Sequence, residues 1–235
     1  MKEHLFDNPE SLTVALANSI EADLSKQLSI SGTAGIALGG GNTPKHLYEK
    51  LSTAQLDWSN ITVTLTDERW VSNQQPESNE RMLKLSLLKH RASGARFVPL
   101  KTAHPTAKEG QLFLDQALRE QLPELDVVVL GMGGDGHFAS LFPDTESLAE
   151  GLNHGSPLLC LATESPVVPK ERISLTLAAL LTAKKIYLFI TGDEKLNVYR
   201  RACLGDQAES GMLPISAVLH QTDVPVEVFW STVIS

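Results

Sequence analysis

The side chains best placed to do chemistry are Asp135 and His137, two residues apart in the stretch Asp126 to Thr145, D-V-V-V-L-G-M-G-G-D-G-H-F-A-S-L-F-P-D-T. An imidazole has the ordinary pKa nearest neutrality, so it can take a proton and return it within one reaction cycle, and a nearby carboxylate can orient it. Gly131, Gly133, Gly134 and Gly136 surround the pair and let the backbone take positive φ and approach a ligand closely. The plain alternative is a hydrogen-bonded structural histidine in a tight turn. The position of the turn favours chemistry, because Val127 to Leu130 reads as a strand covered on both faces and ligands of open α/β sheets bind beyond the carboxyl ends of such strands.

A second group of residues suits an anion. Gly39-Gly40-Gly41-Asn42-Thr43-Pro44 follows a short apolar strand, and Pro44 is suited to the first position of a helix. The amides of Gly40, Gly41, Asn42 and Thr43, with the Thr43 hydroxyl, would then face a phosphate at a helix start. The spacing is neither a Walker loop nor G-x-G-x-x-G, so it does not point to a nucleotide. Thr66-Asp67-Glu68-Arg69-Trp70-Val71 ends another strand with three charges, and Arg69 offers the planar fork that suits phosphate. Lys195 falls in the first turn of a helix starting at Asp193, where the dipole disfavours a cation, so an anionic partner such as a substrate phosphate is one explanation and a solvated lysine the other.

The elements that must hold these residues alternate between strand and helix. Asn8-Pro9-Glu10 starts a helix whose Leu12, Leu16, Ile20, Leu24 and Leu28 form one stripe, and Gly32 interrupts it. Ala34–Leu38, Ile61–Leu65, Arg96–Leu100, Val127–Leu130, Leu158–Ala162, Arg172–Leu177, Ile186–Ile190 and Val226–Trp230 read as strands. Between them, Ser78 caps a helix with Met82, Leu85 and Leu88 on its apolar face. Pro105 to Leu122 is amphipathic, with Leu112, Leu114, Ala117, Leu118 and Leu122 mostly inward. Phe138 to Phe142 predicts a short helix stopped by Pro143, an Ala/Leu helix runs to Ala183, and Met212 to Val218 opens the last helix. No repeat, low-complexity tract or linker composition interrupts the 235 residues, so a single α/β domain over 1–235 is expected.

Composition narrows the function classes. A net charge of -8 argues against a nucleic-acid surface, which needs a basic patch, but leaves room for a small anionic substrate held by a few local cations. The two cysteines, Cys160 and Cys203, have no metal-ligand spacing and form no disulfide framework, which suits a reducing cytoplasm. No apolar leader or membrane-length segment is present, so no membrane partner is expected.

Taken in order, Gly39 to Pro44, Asp67-Glu68-Arg69-Trp70-Val71 with Ser78-Asn79-Glu80-Arg81, Leu130 to His137 with Ala139-Ser140-Leu141-Phe142-Pro143, and Arg172-Ile173-Ser174-Leu175-Thr176 with Thr191-Gly192-Asp193-Glu194-Lys195 resemble the 6-phosphogluconolactonase family over nearly the whole chain. The resemblance implies a Rossmann-like three-layer α/β/α domain with a largely parallel sheet. It also implies hydrolysis of 6-phospho-D-glucono-1,5-lactone to 6-phosphogluconate without metal or organic cofactor. Apart from the resemblance, a monomer is expected, with a weak homo-oligomer as the alternative. Departures are few: Gly39 and Asn42 stand where that family usually has a Ser, Gly134 where an acid is common, and no Asp follows Trp230-Ser231-Thr232.

In such a reaction His137 would take a proton from water and return it to the departing ring oxygen, and Asp135 would fix the imidazole or touch the sugar. Amides near Gly133 would meet the developing oxyanion. Arg69, Lys195 and the Gly40 to Thr43 amides would clamp the phosphate, with Arg172 as a helper and Asp67 and Glu68 either touching substrate or bracing Arg69. The rivals are a glucosamine-6-phosphate isomerase/deaminase, in which Asp67 would abstract a proton at C2, and a catalytically silent sugar-phosphate sensor. The Arg69-Trp70-Val71 continuation argues against the first and His137 against the second.

Overall fold

The computed structural model describes residues 1–41, 43–205 and 213–232. The chain opens with β1 (Lys2–Phe6) and α1 (Pro9–Ser31), followed by β2 (Ala34–Leu38), α2 (Lys45–Leu51), β3 (Ile61–Leu65), β4 (Asp67–Arg69) and α3 (Asn79–Ser86). Next come β5 (Arg96–Val98), α4 (Ala107–Gln121), β6 (Val127–Leu130), α5 (Leu148–Gly151), β7 (Cys160–Glu164) and β8 (Glu171–Leu175). Then α6 (Leu177–Leu180), β9 (Lys185–Thr191), α7 (Asp193–Leu204), α8 (Ser216–His220) and β10 (Val226–Ser231) complete it. Local capping chemistry sets the helix starts. Asn8, Ser78 and Thr106 each accept a first-turn amide through their side chains, and Gly32 closes α1 in the left-handed region at φ 78°.

Seven strands form one parallel sheet in the order β1-β10-β9-β6-β2-β3-β5. Every residue of β2, β3 and β6 is buried, as strands covered on both faces require. The order reverses between β6 and β2: the chain builds outward through β3 and β5 on one side and through β9 and β10 on the other. That reversal opens a crevice at the carboxyl ends of β2 and β6. Leu38 lies opposite Val129, and the Gly39 amide donates to the Val129 carbonyl at 2.9 Å, so the two glycine loops leave the sheet side by side. The buried apolar residues make one core cluster, and none of the described helices is long and apolar enough to cross a membrane.

A second, antiparallel sheet, β4-β8-β7, was not expected from the sequence. Its pairing sets Asp67 opposite Ser174 and Arg69 opposite Arg172. Further differences have physical causes. The stretch 138–142 is no helix: Ala139 takes φ 48°, and the Leu141 amide returns to the Phe138 carbonyl at 3.0 Å, which makes a tight turn with Phe138, Ser140, Leu141 and Phe142 all buried. On α3 the buried leucine is Leu83, followed by Leu87 just past the helix, and Leu85 is 63% exposed, because positions four apart define the core side. On α4, Leu114 and Leu118 turn inward while Leu112 faces solvent. Pro44 caps α2 rather than opening it, and β7 begins two residues later than Leu158. The edge strand β1 was missed because its side chains are mostly exposed and carry no apolar alternation. Asn42 and the start of the Met212–Val218 helix lie outside the described residues.

Candidate active site

His137 and most of the residues expected to bind an anion line a single cavity of about 340 Å³ at the β2/β6 crevice. Gly40, Gly41 and Thr43 enter from the loop after β2, Asp67 and Arg69 from β4, Gly133 and His137 from the loop after β6, Arg172 from β8 and Lys195 from α7. Of the expected site residues that are described, Asp135 and Glu68 do not line the cavity. Asp135 is bonded to the His137 ring.

The turn after β6 positions that imidazole closely. His137 Nδ1 lies 2.5 Å from Asp135 Oδ1, and the His137 amide donates to the same oxygen at 3.1 Å. The Gly133 amide donates to the His137 carbonyl at 2.9 Å, and Gly136, at φ 76°, makes the reversal that an L side chain would resist. This bond occupies the Gly133 amide, so the expected oxyanion donor is already committed within the turn. A carboxylate only accepts, so Nδ1 carries the proton and Nε2 is left as the basic nitrogen. The ring packs against Phe142 at 4.3 Å between centroids. Burial by itself would raise the Asp135 carboxyl, but the bonds and charge of His137 outweigh it and hold it below the usual carboxylate range.

The same cavity carries three cationic side chains. Arg69 and Arg172 face each other across β4 and β8, an arrangement of like charges that destabilises a strand pair unless an anion lies between them. Arg69 donates to the Glu77 carbonyl, while its Nε is buried without a partner among the described residues. Arg172, 4% exposed, donates to the Pro169 carbonyl at 2.9 Å. Burial and then the charge of Arg69 push its guanidinium below its ordinary pKa, against the pull of Asp67 and Glu68. Lys195 sits in the first turn of α7; burial lowers its ammonium as well, only partly offset by Glu194.

The two acids of β4 have separate tasks, because alternate residues of a strand face opposite ways. Glu68 points away from the cavity and accepts four bonds: from the amides of Arg69, Asn79 and Glu80 and from the Ser78 hydroxyl, at 2.7 to 2.9 Å. It is a structural latch at the start of α3 that also fixes the backbone of Arg69, and burial raises its carboxyl despite those bonds. Asp67 faces the cavity.

Three side chains that were not picked out line the same cavity. Ser140 donates to Asp67 Oδ2 at 2.5 Å. The Asn79 carboxamide donates to the Asp67 carbonyl at 2.9 Å and packs so tightly on Gly40 that a Cβ there would lie 2.1 Å from its oxygen. The buried Tyr48 hydroxyl donates to the Gly39 carbonyl at 2.6 Å. Ser140 and Asn79 lay within the quoted motifs, whereas Tyr48 lies outside them. The described residues hold no cluster of three or more His, Cys, Asp or Glu side chains able to bind a metal ion.

Residues 7–230 match the model of a family described as glucosamine-6-phosphate isomerases/6-phosphogluconolactonase. The chain belongs to this family. Within it, a 6-phosphogluconolactonase of Rhizobium meliloti is 39% identical over 97% of both chains, and one of Mesorhizobium japonicum is 40% identical over 96% of this chain and 92% of its own. Among solved structures, a 6-phosphogluconolactonase from Shewanella baltica superposes with a TM-score of 0.93 at 40% identity, covering 98% of this chain and 97% of that one. A monomeric glucosamine-6-phosphate deaminase also shares the fold, with a TM-score of 0.76 at 24% identity.

Proposed function

We propose that this chain hydrolyses 6-phospho-D-glucono-1,5-lactone to 6-phospho-D-gluconate with a water activated by His137. Family membership and the names of its relatives support the substrate. The observation that carries the mechanism is that one cavity is lined both by an Asp135-oriented imidazole and by Arg69, Arg172 and Lys195. In this reading the three cations, the Thr43 hydroxyl and the amides of Gly40 and Gly41 clamp the phosphate. Remote binding of that kind presents the carbonyl to the water.

His137 Nε2 then takes a proton as the water oxygen bonds to C1. The carbonyl electrons move onto oxygen, where a backbone amide of the loop after β6 other than that of Gly133 stabilises them. As the tetrahedral centre collapses, the bond from C1 to the ring oxygen breaks, and the imidazolium returns its proton to that oxygen. The new carboxylic acid ionises to solvent. Nothing in the sequence of steps calls for a metal or an organic cofactor. We place the reaction in one unit spanning residues 1–235, acting in the cytoplasm as a monomer.

The test is acid release from enzymatically generated lactone, with spontaneous hydrolysis subtracted. His137→Ala is expected to lower kcat by roughly 10²- to 10⁴-fold, the span that general acid–base help supplies. An unphosphorylated lactone is expected to lose mainly in KM. Wild-type kcat in His137→Ala would overturn the mechanism.

A further inference from the structure

We propose that Ser140 is a positioning residue in this hydrolysis, its hydroxyl fixing the Asp67 carboxylate as the acceptor for one ring hydroxyl of the lactone. The proposal rests on the lactonase reading above and assigns the sugar end of the same site.

Ser140 is fully buried, yet both its polar groups are spent on the small sheet. Its hydroxyl donates to Asp67 Oδ2 at 2.5 Å, and its amide donates to the Ser174 hydroxyl at 3.2 Å, which in turn donates to the Leu175 carbonyl at 3.0 Å. Asp67 and Ser174 are cross-strand partners, so Ser140 docks on both at once. The residue before it, Ala139, takes φ 48°, a region that side chains other than glycine enter at a cost. That turn brings Ser140 onto β4 only three positions after His137. Ser140 therefore joins the element carrying the proposed base to the strand that carries Asp67 and Arg69.

The bonding of Asp67 indicates what it accepts. Hydroxyls hold its carboxylate: Ser140 at Oδ2, and Thr66 at Oδ1 at 3.3 Å. An ionised carboxylate offers about four acceptor sites, so two remain, and Asp67 lies on the cavity wall. A negative group with spare acceptor sites repels a phosphate and suits an O–H donor. That places Asp67 beside the polyol ring rather than at the phosphate. Without the Ser140 hydroxyl, the carboxylate is free to rotate or to swing toward Arg172, whose charge it already feels.

The experiment compares wild type and Ser140→Ala on the phosphorylated lactone and on its monodeoxy analogues at C2, C3 and C4. On the parent substrate kcat/KM is expected to fall roughly ten- to a hundredfold, the range for losing a hydrogen bond to a charged group, and Ser140→Thr, which keeps the hydroxyl, is expected to recover most of it. For the analogue lacking the hydroxyl that Asp67 holds, wild type and Ser140→Ala should converge. In an Asp67→Ala background, Ser140→Ala should cost nothing further. Equal losses across all four substrates, or a full additional loss in the Asp67→Ala background, would overturn the proposal. If Ser140→Ala does not fold, Asp67→Asn must lose the same discrimination among analogues, and its retention is equally fatal. Failure of wild type to hydrolyse the parent lactone removes the lactonase reading and this proposal together, whereas wild-type turnover with uniform losses removes the positioning role alone.

Discussion

Gly133→Ala tests whether the catalytic turn works by placing one ring. Gly133 has no left-handed φ, so alanine fits its backbone, and the consequences lie in the space above the α-carbon. A Cβ there would sit 2.2 Å from both Nδ1 and Cε1 of His137 and 2.6 Å from Asp135 Oδ1. Ordinary contact begins near 3.4 Å, so the imidazole has to retreat by about 1 Å and take its carboxylate with it. A misplacement of that size can cost roughly 10²-fold in rate when geometry is decisive. The cations of the phosphate clamp lie on other elements and stay where they are. The expected outcome is therefore a kcat about 10²-fold lower with KM within about threefold of wild type, approaching His137→Ala without exceeding it. Because His137 is partly exposed, the ring can move into solvent and Tm should fall only modestly. Background-corrected acid release gives the kinetics and calorimetry the stability. Wild-type kcat in a folded Gly133→Ala protein would refute the idea that this turn acts by holding the imidazole.

Two further outcomes follow from the charges. The Asp135 carboxyl lies below its ordinary range, so its contribution to stability is complete above the unfolded value of about 3.9 and is lost as pH falls through the lower folded value. The Tm gap between wild type and Asp135→Asn should thus close as pH falls from about 4 through the lower folded value, and a gap that stays open under the most acidic conditions contradicts the assignment. At neutral pH the same variant should lose about tenfold or more in kcat, because asparagine can also hold the wrong tautomer. Burial lowers the Lys195 ammonium, so its charge is carried at a cost to the fold. Lys195→Met should keep or raise Tm while weakening thermal protection by inorganic phosphate roughly ten- to a hundredfold, and a lower Tm with undiminished protection would show a structural lysine instead.

What the sequence revealed depended on how local the determining physics was. The strands β2, β3 and β6 were legible because burial on both faces leaves continuous apolar runs, and α1 because its cap, stripe and terminal glycine are all encoded within one segment. The stretch from Phe138 to Phe142 misled because its apolar residues are buried by contacts with distant strands rather than by a helix face, and nothing local announces a left-handed alanine. The cations could be listed but not arranged: the antiparallel register that sets Arg69 against Arg172 joins segments about a hundred residues apart, and β4 is only three residues long.

Asp67 and Glu68 show the boundary most clearly. Adjacent acids before an arginine look interchangeable in a sequence, and period-two alternation says only that they face opposite ways. Which of them meets the cavity is decided by α3, whose first amides need an acceptor. Glu68 supplies it and so is withdrawn from chemistry, leaving Asp67, held by hydroxyls from Thr66 and Ser140, as the acid that faces the cavity. The division of labour is thus set by a helix whose cap, Ser78, lies ten residues after Glu68 and by a turn 73 residues from Asp67. It follows that Arg69 is held through its own backbone by Glu68, while the orientation of Asp67 depends on the turn that carries His137. The two cavity-lining side chains of β4 are consequently fixed by separate supports, so phosphate binding and sugar reading should be separable by mutation.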